Sequence, residues 1–478
     1  MLLLKNWWPL LGGIALSLLF FFFNPFGVAA EANKVMAVAV LMVFLWISEA
    51  IPMPVVALIP LFLFPLLRIA PVDVTASGYA NPVIFLFMGG FLIGLAIEKW
   101  NLHRRIALSI VQRTGTSGNR IIAGFITATA LLSMWLSNTA TTMMMFPIAL
   151  SVIAVVKDNA PGEKQVANFS LCLMLAIAFA ANFGGIATLI GTPPNVAYAA
   201  FIVKKYDYNI DFFRWMIVCT PLAIILLVCL YWVMVKWLYP NGIKEDDATR
   251  QLIGAELQAL GPFSTAEKRV LSIFLATATL WITKDLINGL GIIKLDDTMI
   301  AMMGAVALFI FRGGQAAANK PLLQWEDTGK MAWGILLLFG GGIALAGALE
   351  KAGLIEQLGQ WFGQFAGHKL MIIFLVTITA LFLSEVMSNV AQVIVFAPVV
   401  SALADAVHLH PLQLGIPMTL AASCASMLPI GTPPNAIVFA SGYIKLGQMT
   451  RVGFVMNIIA VILITLFGWL VVPFAFGI

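Results

Sequence analysis

The stretches SNTATTMMMFP (residues 137–147) and SNVAQVIVFAP (residues 388–398) place the same Ser-Asn pair twice in apolar surroundings. In each stretch a proline follows nine residues after the asparagine, Pro147 after Asn138 and Pro398 after Asn389. Polar side chains cost free energy wherever water cannot reach them. Both pairs therefore need a structural or functional reason, and so does their duplication.

The surrounding composition is that of an integral membrane protein. Hydrophobic residues make up 61% of the 478 residues and charged residues only 10%, whereas soluble domains carry about 25% charged residues. A helical span needs roughly 20 apolar residues, and about eleven such runs occur besides the two Ser-Asn regions. A membrane β-barrel would show only weak alternating segments. The sequence therefore predicts an all-α, multi-pass protein of the inner (plasma) membrane, with about 11 transmembrane helices plus two re-entrant hairpins.

Repetition organises the whole chain. FMGGFLIGLAIEKW (87–100) matches FGGGIALAGALEKA (339–352), a Ser-Asn stretch follows each, and GTPPN then occurs at 191–195 and again at 431–435. Three landmarks in the same order indicate an internal repeat. We expect a first half at 1–238, with a hairpin at about 122–155 and a broken helix at about 168–202. A polar linker at 239–269 precedes a second half at 270–478, with a hairpin at about 371–403 and a broken helix at about 413–442.

Loop charges predict how the halves are oriented. Between Glu98 and the first Ser-Asn pair stand five cations and no acid: Lys99, Arg104, Arg105, Arg113 and Arg120. The matching stretch of the second half has only Lys351 and Lys369, opposed by Glu356. Because basic residues concentrate in cytoplasmic loops, the halves are expected to be inverted repeats, as in many secondary transporters. The net charge of +5 then reflects topology, and no nucleic-acid partner is expected.

The GTPPN segments predict two breaks in membrane helices. Proline cannot donate to the carbonyl four residues earlier, and glycine lets the backbone bend, here at Gly191 and Gly431. Freed carbonyls inside a membrane need a partner, and such groups coordinate sodium in transporters with broken helices. A simple kink is the alternative interpretation. Two copies at matched positions favour the cation site.

The Ser-Asn pairs predict the tips of the hairpins. If a helix begins at Asn138, its free N–H groups and partial positive charge favour an anion. An asparagine side chain also offers an oxygen to a cation and an amide donor to an anion. Ser133 and Ser384, each four residues before the paired serine, add further oxygens. Hydrogen bonding between helices is the alternative role for these residues. Glu385 is a candidate proton carrier, although a structural role in the hairpin is favoured.

These features together resemble the divalent-anion/sodium symporter family, which includes dicarboxylate, citrate and sulfate transporters. The resemblance rests on WISEAIPMPVVALIP (46–60), residues 87–108, SNT (137–139), both GTPPN segments and ELQALGPFSTAEKR (256–269). It implies a homodimer embedded in membrane lipid, in which an elevator-type transport domain carries the hairpins and broken helices. It also implies Na⁺ as the coupled ion.

The resemblance assigns candidate ligands to both halves. One sodium site maps to Ser133, Ser137, Asn138 and Gly191, and the other to Ser384, Met387, Asn389 and Gly431. Substrate contacts map to Asn138, Thr139 and Asn389, with Val390 standing where many relatives have threonine. The residues flanking each break, Thr192, Pro193, Thr432 and Pro433, are further candidate substrate contacts.

The expected function is sodium-coupled symport of dicarboxylates such as succinate, malate and fumarate. The alternatives within the family are a sodium-independent dicarboxylate or citrate exchanger and a sulfate transporter. An enzyme is not expected, because the sequence contains no Walker A, GxSxG or HExxH motif. A channel is disfavoured because paired broken helices in inverted repeats are typical of alternating access.

Overall fold

The computed structural model describes residues 7–159, 162–245, 247–291, 293–314, 320–354, 357 and 368–478. Over these ranges the regular elements are helices, apart from one isolated bridge between Arg312 and Pro321. The predicted all-helical membrane architecture is confirmed.

The helices of the first half are α1 (Trp8–Phe23), α2 (Ala30–Ser48), α3 (Met53–Val56), α4 (Ile59–Leu66), α5 (Val72–Ala76), α6 (Pro82–Lys99), α7 (Leu102–Thr114), α8 (Gly118–Ser133), α9 (Asn138–Asn159), α10 (Glu163–Gly185), α11 (Pro193–Tyr206) and α12 (Phe212–Tyr231). Those that follow are α13 (Asp247–Ala259), α14 (Thr265–Gly289), α15 (Asp297–Ile310), α16 (Trp333–Lys351), α17 (Lys369–Leu383), α18 (Asn389–Ala406), α19 (Pro411–Ala422), α20 (Pro433–Phe439), α21 (Leu446–Leu466) and α22 (Val472–Phe476). Short 3-10 turns lie at Ser77–Ala80 and Trp325–Lys330.

Nine helices in the described ranges are long and apolar enough to cross a membrane, judged by length and composition. They are Ala30–Ser48, Val72–Lys99, Asn138–Asp158, Glu163–Gly185, Phe212–Leu238, Thr265–Gly289, Trp333–Lys351, Asn389–Ala406 and Leu446–Phe476. Shorter apolar helices are Trp8–Phe23, Met53–Leu66, Asp297–Ile310 and Lys369–Leu383. Because length does not locate a helix end within a bilayer, the number of spans and the re-entrant hairpins stay predictions.

The same succession of elements occurs twice. α8 and α9 flank a break, α10 ends in a loop, and α11 restarts at Pro193; α17, α18, α19 and α20 follow the same order, with the restart at Pro433. A long helix then follows in each case, and both turn π-helical, α12 at Trp232–Leu238 and α21 at Phe467–Val471. The motifs that repeat in the sequence thus lie on helices that repeat in the same order.

Packing crosses between the two sets. α9 packs against α10 and α20, and α11 packs against α18. In addition, α8 packs on α10, and α17 and α18 pack on α19. Each Ser-Asn helix therefore neighbours the broken helix of the other half.

Close helix packing explains the glycines of the repeated segment. A Cβ on Gly89 of α6 would lie 2.7 Å from the Cβ of Ala301 on α15, and one on Gly341 of α16 would overlap Ala57. Real Cβ atoms do not approach so closely, so only glycine permits these contacts. Both glycines therefore allow α6 and α16 to pack closely against neighbouring backbone.

Candidate functional site

The first break lies between α10 and α11. α10 ends at Gly185, and α11 begins at Pro193 with Thr192 as its N-cap. The prolines thus occupy the first turn of a new helix, where a missing N–H costs nothing. The prolines therefore start the second segment of this interrupted helix. The free carbonyls belong to the irregular loop, residues 186–192.

Oxygen atoms converge on the Asn138 side chain at this break. Its Oδ1 lies 2.7 Å from Ser133 Oγ, and the same amide atom lies 3.3 Å from the Gly191 carbonyl oxygen and 3.1 Å from that of Ala181. With the amide reversed, its nitrogen donates to both carbonyls. The Asn138 amide thus lies among the oxygens of Ser133, Ala181 and Gly191, the neutral oxygen ligands that broken helices offer to sodium in transporters.

The other first-half candidates have distinct positions. Ser137 caps α9, since its Oγ accepts from the Ala140 N–H at 3.2 Å. Thr139 is half-buried in the first turn of the same helix. Of the predicted sodium ligands, Ser133, Asn138 and Gly191 come together directly, while Ser137 contributes the helix start.

The second half reproduces the serine-asparagine contact. Ser384 Oγ lies 2.5 Å from both Asn389 Oδ1 and the Ala422 carbonyl oxygen. Ser388 caps α18 through its contact with the Ala391 N–H at 3.5 Å. Met387 is half-buried. Over the described part of the chain, no hydrogen bond joins Gly431 to Asn389, so this half-site is less tightly assembled than the first.

Glu385 holds the second loop in place. Its carboxylate is 3% exposed and accepts from the backbone N–H groups of residues 426–428 at 2.8–3.0 Å. It also accepts from Asn457 Nδ2 at 2.7 Å. A Cβ on Gly431 would lie 3.1 Å from Glu385 Oε2. Glu385 therefore connects the hairpin turn to the broken helix, a wider structural role than the one predicted within the hairpin.

Sequence reasoning missed Asn182, which links the halves. This residue of α10 is 1% exposed, and its Nδ2 donates to Thr432 Oγ1 at 3.1 Å. Its Oδ1 lies 3.5 Å from Asn138 Nδ2 when the Asn138 oxygen faces the Gly191 carbonyl. A polar chain thus runs from the first half-site to the second.

The last letter of each GTPPN segment also has a role that the sequence analysis missed. Asn195 Nδ2 donates to the Thr188 carbonyl at 2.8 Å, and Asn435 Nδ2 donates to the Leu428 carbonyl at 3.1 Å. Both contacts reach back seven residues, and both asparagines are fully buried. The asparagine that ends both GTPPN segments was the sequence feature that could have indicated this contact within the loop.

The candidates that flank the breaks differ in exposure. Thr192 and Thr432 are buried, at 3% and 4% exposure, and Thr432 Oγ1 caps α20 by accepting from the Asn435 N–H at 3.4 Å. Pro193 is half-buried, whereas Pro433 is exposed.

Four helices begin around this region, but they do not offer equal donors. Prolines fill the first positions of α11 and α20, so these starts lack N–H groups there. α9 and α18 begin with ordinary residues, and their first N–H groups precede any intrahelical hydrogen bond. The free backbone donors at these two helix starts are therefore the N–H groups of Asn138, Thr139, Asn389 and Val390. Val390 keeps this donor although it has no hydroxyl.

Comparisons with known proteins agree with this architecture. The family model of the sodium:sulfate symporter transmembrane region matches residues 4–474. The chain is 37% identical over 476 residues to the sodium-dependent dicarboxylate transporter SdcS of Staphylococcus saprophyticus, covering 98% of this chain and 92% of that protein. It is 38% identical to SdcS of Staphylococcus aureus, with 98% and 91% coverage.

Two solved structures share the fold. One is MtrF of Neisseria gonorrhoeae, described with a class of antimetabolite efflux pumps, with a TM-score of 0.56, 11% identity, and 84% of this chain and 83% of that chain covered. The other is the YdaH transporter of Alcanivorax borkumensis, with a TM-score of 0.52, 14% identity, and 84% and 87% covered. At these identities the likeness concerns the fold alone.

Proposed function

The chain belongs to the sodium:sulfate symporter family, as a multi-pass plasma-membrane protein, and from this premise we propose that it is a sodium-coupled symporter of dicarboxylates such as succinate, malate and fumarate. The relatives named as sodium-dependent dicarboxylate transporters support both the ion and the substrate class.

The observation that carries the proposal is the oxygen cluster at Asn138. Oxygens of Ser133, Ala181 and Gly191 surround one amide atom within 2.7–3.3 Å. Hydroxyl and carbonyl oxygens gathered at a helix break coordinate sodium in known transporter folds. Sodium would therefore be held by the amide oxygen, and Asn138 Nδ2 would then donate to Asn182.

The second sodium site is proposed at Ser384, Met387, Asn389 and Gly431. The contact of Ser384 with Asn389 and the Ala422 carbonyl supports it. Glu385 holds the adjoining loop, residues 426–428, in the shape that this site needs.

The substrate is proposed to lie between the two Ser-Asn helices. One carboxylate would accept from the Asn138 and Thr139 side, and the other from the Asn389 and Val390 side, where helix starts favour negative charge. At about 4 Å and an effective dielectric of 20, a sodium ion attracts a carboxylate by about 4 kcal/mol. Sodium and substrate should therefore each strengthen binding of the other.

The transport cycle is proposed to use the two halves as inverted repeats. The cross-packing of α9 on α20 and of α11 on α18 supports one body that carries both half-sites. This body would move as an elevator within a homodimer surrounded by lipid. Alternating access from the two sides of the membrane is the general behaviour of transporters built from inverted repeats.

Uptake by purified protein in liposomes tests the proposal. We expect labelled succinate to accumulate under an inward sodium gradient and not under a matched potassium gradient. Equal uptake in both salts would contradict symport. Liposomes loaded with unlabelled succinate separate exchange from symport, since only an exchanger would require the internal anion.

A competition panel then defines the substrate class. We expect unlabelled succinate, malate and fumarate to inhibit more strongly than citrate, tartrate or sulfate at equal concentration. Stronger inhibition by sulfate would mean that sulfate is the preferred substrate. Val390, which lacks the hydroxyl of Thr139, would then be the first residue to test.

A further inference from the structure

A cavity lies away from the Ser-Asn pairs, among α2, α4, α11 and α16. Its volume is about 550 Å³, and we call it the Lys204 cavity. Its lining contains four cations and two carboxylates: Lys34, Arg68, Lys204, Lys351, Glu31 and Glu350. The lining therefore carries a positive excess.

The cations form two pairs from different elements. Lys34 Nζ donates to the Leu67 carbonyl at 3.2 Å, which places it beside Arg68. Lys204 of α11 lies against α16, because a Cβ on Gly347 would be 3.5 Å from its Nζ. Lys351 follows Gly347 by one turn on that helix. One pair thus belongs to α2 and the end of α4, and the other to α11 and α16.

These cations lack the partners found elsewhere in the protein. Within the described ranges, no ion pair involves Arg68, Lys204 or Lys351, whereas the adjacent Lys205 pairs with Asp405 at 3.3 Å. A cavity lined by four cations and two carboxylates has a net positive charge, which raises the local concentration of anions. The cavity therefore suits a small, doubly charged anion better than a cation or a neutral molecule.

We propose that the Lys204 cavity is a second dicarboxylate site, with one carboxylate at Lys34 and Arg68 and the other at Lys204 and Lys351. That the ligand is a dicarboxylate rests on the proposed function. That it carries two negative charges is inferred from the two pairs of cations that line the cavity. Lys204 and Pro193 lie near opposite ends of α11, about 16 Å apart at 1.5 Å per residue. The second site is thus separate from the first but connected to it by one helix.

Calorimetry on the purified full-length protein tests this site. Succinate is titrated in sodium-free buffer of low ionic strength, in which the proposed substrate site between the Ser-Asn helices has no sodium bound beside it. We expect binding to remain, to weaken as potassium chloride is added, and to be at least about tenfold weaker for butyrate, which carries a single charge.

Variants locate the binding. The double variant Lys204→Gln/Lys351→Gln and the separate variant Arg68→Gln should each weaken sodium-free binding by about tenfold or more. Lys268→Gln, at the exposed start of α14, is the matched control and should bind like the wild type. Asn138→Ala should keep sodium-free binding while losing sodium-dependent uptake.

Three results would overturn the inference. They are no sodium-free binding by the wild type, unchanged binding in the double variant and Arg68→Gln, or an anionic phospholipid that copurifies with the wild type but not with the double variant. None of these would affect sodium-driven uptake. Failure of this site is thus distinguishable from failure of the proposed function.

Discussion

The two GTPPN segments have identical letters, but the residues directly before them differ in exposure. Ile190, directly before the first segment, is 6% exposed, whereas Ile430, directly before the second, is 75% exposed. The hairpin turns differ in the same direction, because Trp135 is half-buried and its counterpart Val386 is 61% exposed. The loops beside the first half-site are thus sealed, and those beside the second are open.

Aromatic packing accounts for the sealed side. Trp135 packs edge-on against Phe274, with ring centroids 4.8 Å apart, and tilts against Phe212 at 6.2 Å. Trp215 Nε1 donates to the Ile186 carbonyl at 3.1 Å. In the repeat, Val386 takes the place of Trp135. The GTPPN residues thus define the geometry of each loop, and the neighbouring helices determine which of the two loops is exposed. Alternating access requires such a difference in exposure between the two halves.

The largest expected effect comes from removing either asparagine. Asn138→Ala and Asn389→Ala should each reduce sodium-driven succinate uptake to background, a loss of about a thousandfold if both a cation ligand and an anion donor are removed. Ser151→Ala, on the exposed face of α9, is the control. Normal uptake by either asparagine variant, at equal amounts in the membrane, would show that the half-sites are structural.

Cysteine labelling tests the difference in exposure directly. In a Cys229→Ser background, where the other native cysteines are buried, a membrane-impermeant thiol reagent should modify Ile430→Cys about a hundredfold faster than Ile190→Cys. The measurement is the labelling rate in purified protein without substrate. Equal rates would mean that the two loops are not sealed and open as described.

The loop attachments should differ between the halves. Glu385→Gln weakens several charge-assisted hydrogen bonds to residues 426–428, so uptake should fall on the order of thirtyfold. Thr188→Val removes the hydroxyl contact with the Met134 carbonyl that holds the first loop. We expect a smaller loss there, because that contact is between neutral groups. A larger loss for Thr188→Val would reverse the comparison.

The link between the halves gives an intermediate effect. Asn182→Leu removes the donor to Thr432 and should raise the sodium concentration for half-maximal uptake about tenfold, corresponding to about 1.4 kcal/mol. Asn168→Ala, which changes an exposed contact with the Pro240 carbonyl at another position on α10, is the control. An unaltered sodium dependence in Asn182→Leu would show that Asn182 does not couple the two half-sites.

The smallest expected effect concerns the unequal letter after each Ser-Asn pair. Val390→Thr restores a hydroxyl matching Thr139 and should change the ratio of succinate to sulfate inhibition by about threefold, the contribution of one modest hydrogen bond. The backbone N–H is present in both forms. No change in the ratio would assign the substrate contact at this position to the backbone alone.

The sequence predicted what repeats locally and missed what depends on distant packing. The all-helical membrane fold followed from long apolar runs. The Ser133–Asn138 and Ser384–Asn389 contacts follow from residues five positions apart at a helix break. The partner of Asn182 lies 250 residues away at Thr432, so no local pattern indicates it.

Two further differences have clear physical causes. The prolines lie at the first turn of a helix rather than within one, a distinction that sequence alone does not show. Ile190 lies against Gly90 of α6, where an added Cβ would be 3.2 Å from its Cγ2, whereas Ile430 is 75% exposed. Such differences arise only when whole helices are assembled.

The most direct test of the central claim is succinate uptake as a function of sodium concentration in the wild type, Ser133→Ala and Ser384→Ala. Each serine touches the asparagine of its own half-site. If both half-sites bind sodium together with the dicarboxylate, each variant requires several-fold more sodium for half-maximal uptake and still transports at saturating sodium. Uptake equal in sodium and potassium, or a wild-type sodium dependence in both variants, would contradict the account.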